Sequence, residues 1–273
     1  MDQFSRGGLA FPVLDRGTPD GPTVILLHGF PQDASSYDGV VPALTAEGFR
    51  TLVPTQRGYA ATARPTRRGD YRLEELVADV LALVDAAGAA DVHLVGHDWG
   101  GAVAWGLAGL HPDRVRTLTV LSTPHPAAMT SAMWHSNQAL RSWYMAAAQL
   151  PFVPELLLAR NMAKTLQDSG LPAAAAARYA AAMAGDGALT GALNWYRALP
   201  FALRSPVPDI TVPTTFVWGT RDFALGRYAA EATGGHVGGD YRFEPLKAGH
   251  WLPETRPDQV AAAILGRARS STG

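Results

Sequence analysis

Short apolar runs alternate with stretches of helical spacing over the first half of this chain. Residues 9–14, 23–27, 50–53, 92–95 and 115–121 are of strand length and rich in Val and Leu, and they are predicted to be strands. Between the third and fourth runs, Leu73, Leu76, Val77, Val80, Leu81 and Val84 share one helical face, which predicts a helix over 73–87 that stops at Gly88. Strands separated by helices imply a mostly parallel sheet covered on both faces. From Pro124 to Pro213 the pattern changes. Ala, Leu, Met and aromatic residues recur at helical spacing, with breaks at Pro151, Pro154, Gly170-Leu171-Pro172 and Gly185-Asp186-Gly187. Strand-like runs return at 214–218 and 241–246. The expected organisation is one α/β core over 1–124 and 211–273, interrupted by a helical segment over 125–210.

Four of these strands end in polar loops that carry chemistry. Gly96-His97-Asp98-Trp99-Gly100-Gly101 joins the strand at 92–95 to the Ala-rich stretch 102–110, giving strand, sharp turn and helix with a carboxylate at the turn. A carboxylate is ionised near neutral pH and can displace a leaving group at a saturated carbon, whereas a Ser there would need a base to attack an acyl carbon. Asp98 is therefore the candidate nucleophile, with alkyl transfer and ester hydrolysis as the expected chemistry. The strand at 214–218 runs into Gly219-Thr220-Arg221-Asp222, where Asp222 is placed to orient a histidine; spacing alone leaves Asp209 and Asp240 open. The strand at 241–246 runs into Lys247-Ala248-Gly249-His250-Trp251, and His250 is the candidate base. Ahead of them, the strand at 23–27 ends in His28-Gly29-Phe30-Pro31; main-chain N–H groups of Phe30 and Trp99 are the candidate oxyanion donors.

These motifs and their order, Asp nucleophile then acid then His, resemble the α/β-hydrolase superfamily with Asp at the nucleophile elbow. With Ser142-Trp143-Tyr144 and Asn194-Trp195-Tyr196-Arg197, the chain is similar to the epoxide hydrolases of that superfamily from about Phe11 to its last helix. The resemblance implies an α/β-hydrolase fold with a helical cap at 125–210. It also implies paired cap tyrosines, Tyr144 and Tyr196, that donate to the epoxide oxygen, with Tyr179 in reserve for the first. Phenols stay protonated at neutral pH, as an acid for a departing alkoxide must. One departure is Thr55-Gln56 ahead of Arg57-Gly58-Tyr59, where relatives often carry Asp; it bears on that loop's hydrogen bonding and not on the catalytic set. Haloalkane dehalogenases share the Asp and often follow it with a Trp that binds halide, but often carry Asn where this chain has Phe30. Haloacetate dehalogenases place Arg where this chain has Trp99. A non-hydrolytic binding or biosynthetic protein is the third reading, against which the intact acid-base set argues.

Phe30, Trp99, Trp143, Trp195, Phe223 and Trp251 are expected to line an apolar pocket, so a neutral hydrophobic epoxide is the implied substrate class. The 273 residues suffice for a large core, and the formal net charge of −1 gives no field for gathering nucleic acid or an anionic membrane. The cluster Arg64, Arg67, Arg68 and Arg72 is read as a solvated loop leading into a helix. His28 and His97 are expected to brace the active loops, and His93, His111, His125, His135 and His236 to be ordinary surface or satisfied positions. No pair has metal-ligand spacing, so neither metal nor cofactor is expected. Abundant Ala and Arg with only Lys164 and Lys247 suggest the codon usage of a high-GC bacterium. The first residues lack a basic and apolar leader, and there is no Cys. The expectation is a cytoplasmic monomer or homodimer acting on a small molecule and water.

Overall fold

A computed structural model describes residues 1–202 and 206–270. Residues 203–205, within the expected insertion, and 271–273, at the end of the expected core, lie outside the described residues. The strands are β1 (Gln3–Arg6), β2 (Leu9–Gly17), β3 (Thr23–Leu27), β4 (Arg50–Pro54), β5 (Val92–His97), β6 (Val115–Leu121), β7 (Thr214–Gly219) and β8 (Tyr241–Leu246). They form one sheet in the order β1-β2-β4-β3-β5-β6-β7-β8. The β1–β2 and β2–β4 pairs are antiparallel and the remaining pairs parallel. β1 is an addition to the sequence reading, which saw no strand ahead of residue 9. Its alternation around the buried Phe4 is too short to stand out until Phe4 stacks on Phe11 of β2, ring centroids 4.7 Å apart.

The central strands β3, β5, β6 and β7 are buried almost throughout because both faces are covered. Along β3, Ile25 and Leu27 face one core cluster while Val24 and Leu26 face another, as the two-residue period of a strand requires. Core helices are α1 (Val41–Ala46), α2 (Leu73–Ala86) and α3 (Trp99–Leu110). Between β6 and β7 come α4 (Pro126–His135), α5 (Gln138–Arg141), α6 (Trp143–Ala147), α7 (Val153–Asp168), α8 (Ala173–Met183), α9 (Ala188–Arg197) and α10 (Leu199–Ala202). The core then continues with α11 (Arg227–Ala232), α12 (Leu252–Thr255) and α13 (Pro257–Arg269). The α2 and α3 side chains Val77, Val80, Val103 and Leu107 belong to the first cluster; Val260 and Ile264 of α13, with Leu44 of α1, belong to the second. Among the described residues, no helix is long and apolar enough to cross a membrane.

Of the basic cluster after β4, Arg67, Arg68 and Arg72 are exposed and Arg64 is not, and the neighbouring Arg57 is buried. Arg57 makes a two-point contact with Asp79 of α2 at 2.7 and 2.7 Å, both side chains nearly inaccessible. Arg64 donates to the carbonyls of Gly58, Tyr59 and Asp186, so it ties this loop to the turn before α9, while Arg67 and Arg68 are exposed. Such three-way main-chain capture depends on tertiary neighbours that a local charge pattern does not reveal.

Candidate active site

All four chemical loops leave the same end of the sheet, the carboxyl ends of β3, β5, β7 and β8, where open α/β sheets hold their ligands. Asp98 follows β5 with φ 51° and ψ −121°, a conformation costly for a residue with a Cβ, on the order of 1–3 kcal/mol. The surrounding packing enforces it. A Cβ on Gly96 would lie 2.3 Å from the Gly100 carbonyl oxygen, and one on Gly100 would lie 2.2 Å from that of Leu27. Thr123 Oγ donates to the Asp98 carbonyl at 2.8 Å, and the Asp98 N–H donates to Leu121 O at 3.2 Å.

The two carboxylate oxygens of Asp98 have different surroundings. Oδ1 accepts the Phe30 N–H at 2.8 Å, and Oδ2 lies 3.5 Å from His250 Nε2. On the other side of the imidazole, Nδ1 lies 2.8 Å from Asp222 Oδ2. Asp222 is fixed in turn by Ala224 and Leu225, whose N–H groups donate to its Oδ1 at 2.8 and 3.0 Å. The Asp209 carboxylate instead meets His236, and Asp240 meets Arg267, so neither competes for His250. Trp99 opens α3, where the first N–H groups lack intrahelical acceptors.

Burial alone would lower the His250 imidazole, but Asp222, with help from Asp98, raises it from 6.5 to about 10. Burial likewise disfavours the Asp98 charge, but His250 on one oxygen and, to a lesser extent, the Phe30 N–H on the other overcome it, holding the carboxyl below its ordinary value. Asp222 and Asp98 on either side of the ring thus favour its charged form.

Tyr196 of α9 and Tyr144 of α6 stand above this group, with ring centroids 6.1 Å apart. Tyr196 packs edge-on against Phe30 at 5.3 Å and Trp99 at 4.9 Å. Burial first, then the Asp98 charge, pushes both phenols up. Tyr179 lies elsewhere: its hydroxyl donates to Glu254 at 2.9 Å.

The expected aromatic lining is only partly assembled. Phe223 packs on His250 at 5.3 Å, and Trp251 on the same ring at 5.1 Å. Trp195 is one layer back, buried behind Trp99 with its indole donating to Arg57 O at 2.8 Å. Trp143 is a correction: its side chain is 69 % exposed, because it points away from its neighbour Tyr144 at the start of a one-turn helix. His28 and His97 do hold the loops. The Gln56 N–H donates to His28 Nε2 at 3.2 Å and its side-chain amide to the His28 carbonyl, and His97 meets Gln32 and the His250 carbonyl. His93 and His125 are buried and hydrogen-bonded.

Several contributors escaped the sequence reading. Ser122 donates to the His250 carbonyl at 2.9 Å, and Arg141 to the Asp222 carbonyl at 3.1 Å. Gln32 and Glu254 join the loops from behind. Only the strand-end position of Ser122-Thr123 could have drawn notice. Among the described residues, no group of three or more His, Cys, Asp or Glu side chains could hold a metal ion.

The sequence profile of the α/β hydrolase fold matches residues 22–257. Relatives include the AB hydrolase superfamily protein YfhM of Bacillus subtilis, 35% identical over 271 residues, covering 96% of this chain and 95% of that protein. Epoxide hydrolase A of Mycobacterium tuberculosis is 32% identical, with 94% of each chain covered. The crystal structure of epoxide hydrolase A from Mycobacterium thermoresistibile matches with a TM-score of 0.86 at 29% identity, covering 98% of this chain and 97% of that one. The chain belongs to the α/β hydrolase fold family, in its epoxide hydrolase-like branch.

Proposed function

We propose that this protein hydrolyses a neutral, hydrophobic epoxide to a vicinal diol through an alkyl ester on Asp98. The observation that carries the reading is the split environment of Asp98, one oxygen on the Phe30 N–H and the other toward His250, with two phenols above. Asp98 Oδ2 attacks a ring carbon, the carbon–oxygen bond opens, and Tyr144 and Tyr196 donate to the forming alkoxide. Esterification removes the Asp98 charge, so His250 loses one of the partners that raised it and gives up its proton, balancing the one taken by the alkoxide. Neutral His250, oriented by Asp222, then deprotonates water for attack on the ester carbonyl. Its oxyanion sits on the N–H groups of Phe30 and Trp99, which the resting carboxylate oxygen already samples at Phe30.

In this reading residues 125–210 are a cap over the site, and the enzyme is a cytoplasmic monomer or homodimer. Epoxide hydrolases A among its relatives support the reaction class. Hydrolytic dehalogenation is disfavoured because Phe30 has no side-chain donor for halide. A panel of terminal and aryl epoxides beside matched haloalkanes tests it. Diol from the epoxides is expected; halide release without diol overturns the proposal.

A further inference from the structure

Behind the site, one buried carboxylate has no part in the steps above. Glu254 of α12 accepts the Tyr179 hydroxyl of α8 at 2.9 Å and Gln32 Nε2 at 2.6 Å, both on Oε1. Its Oε2 is buried and has no partner among the described residues. Burial pushes this carboxyl up, and the donors from Gln32 and Tyr179 offset only part of that cost. An apolar side chain of similar size would serve stability at least as well, so stability does not account for a half-satisfied carboxylate here.

What Glu254 holds is informative. With Nε2 committed to Glu254, the Gln32 amide turns Oε1 toward the Gly29 N–H at 2.8 Å and His97 Nδ1 at 2.8 Å. Gly29 precedes Phe30, the donor to Asp98, and His97 Nε2 reaches the His250 carbonyl at 3.0 Å. Asp98 itself is secured separately through Leu121, Ala102 and Thr123. The groups that depend on the network are therefore the oxyanion donor and the base, which act on the ester.

We propose that Glu254 is a positioning residue for ester hydrolysis: the shared acceptor through which Tyr179 and Gln32 keep the Phe30 loop and the His250 loop in register. The inference rests on the epoxide hydrolase reading. Glu254→Leu removes the acceptor, Glu254→Gln keeps a carbonyl for both donors, and Tyr179→Phe removes only one donor. Single-turnover kinetics with styrene oxide, following the mass of the Asp98 ester, resolve the two steps.

Glu254→Leu should slow ester hydrolysis by roughly 10-fold to 100-fold and leave alkylation within about 3-fold, so that ester accumulates. Glu254→Gln should restore hydrolysis to within about 3-fold of the wild type, and Tyr179→Phe should show a smaller defect in the same step. Equal slowing of both steps in Glu254→Leu, no slowing, or a Gln variant as defective as Leu overturns the proposal. Absence of any ester even in wild type and His250→Ala, with turnover intact, overturns the underlying ester scheme and this inference with it.

Discussion

Replacing Tyr196 by Phe removes one oxygen and leaves the rest of the aromatic cluster in place. The Phe ring keeps the contacts with Phe30 at 5.3 Å, Trp99 at 4.9 Å and Tyr144 at 6.1 Å. The fold loses only a hydroxyl, a change of about 1 kcal/mol or less in stability. The reaction loses far more. An alkoxide forming beside buried phenols has no bulk water to solvate it, so one missing donor should slow alkylation of Asp98 by roughly 10-fold to 1000-fold, or about 1.4 to 4 kcal/mol. Ester hydrolysis, in which the phenols take no part, should change little. Stopped-flow mixing of excess enzyme with epoxide, read by tryptophan fluorescence because Trp99 adjoins the reacting carboxylate, separates the steps. Tyr144→Phe should act on the same step, and the double variant should be inactive on epoxides. Wild-type alkylation rates in both single variants would refute the reasoning and return the tyrosines to a packing role.

Other consequences follow from the loops and their charges. A Cβ at Gly29 would lie 2.4 Å from Asp98 Cβ and 2.5 Å from Oδ1, so Gly29→Ala should displace the nucleophile and cost about 100-fold in alkylation; an unaltered rate contradicts the packing argument. In Asp98→Asn, His250 loses one of the charges that hold it near 10, and its imidazole titration by NMR should move down; an unmoved value would mean that Asp222 alone sets it. Because the folded value lies above the ordinary 6.5, the stability His250 contributes is complete below about pH 6.5 and lost as pH rises toward about 10, and His250→Gln should flatten that part of the denaturation profile. Asp79→Asn leaves the Arg57 charge buried without its partner and should cost about 3–5 kcal/mol by urea denaturation; a loss under about 1 kcal/mol would mean water reaches Arg57.

The elbow, the acid and the histidine could be read along the chain because each sits where a strand must end and a turn must follow. Glycines flank Asp98 because the close approaches at Gly96 and Gly100 leave no room for a Cβ. The order of the strands limited which loops could meet. Its strand-end position favoured Asp222, but spacing alone left Asp209 and Asp240 open until three dimensions, where those two meet His236 and Arg267. Trp143 misled because it adjoins a tyrosine in a familiar motif, and adjacent residues on one helical turn diverge by about 100°. Glu254 and Gln32 are 222 residues apart and carry no local signature. Their partnership exists only once α12 and the loop after β3 have packed beneath α8.

The central claim is a covalent ester on Asp98 that His250 is needed to release. His250→Ala, incubated with an epoxide that the wild type converts, should alkylate and then stall. Intact-protein and peptide mass spectrometry should show one added substrate mass, confined to the peptide containing Asp98, with stoichiometric rather than catalytic diol. A His250→Ala protein that never gains that mass, or gains it on a peptide lacking Asp98, would contradict the account.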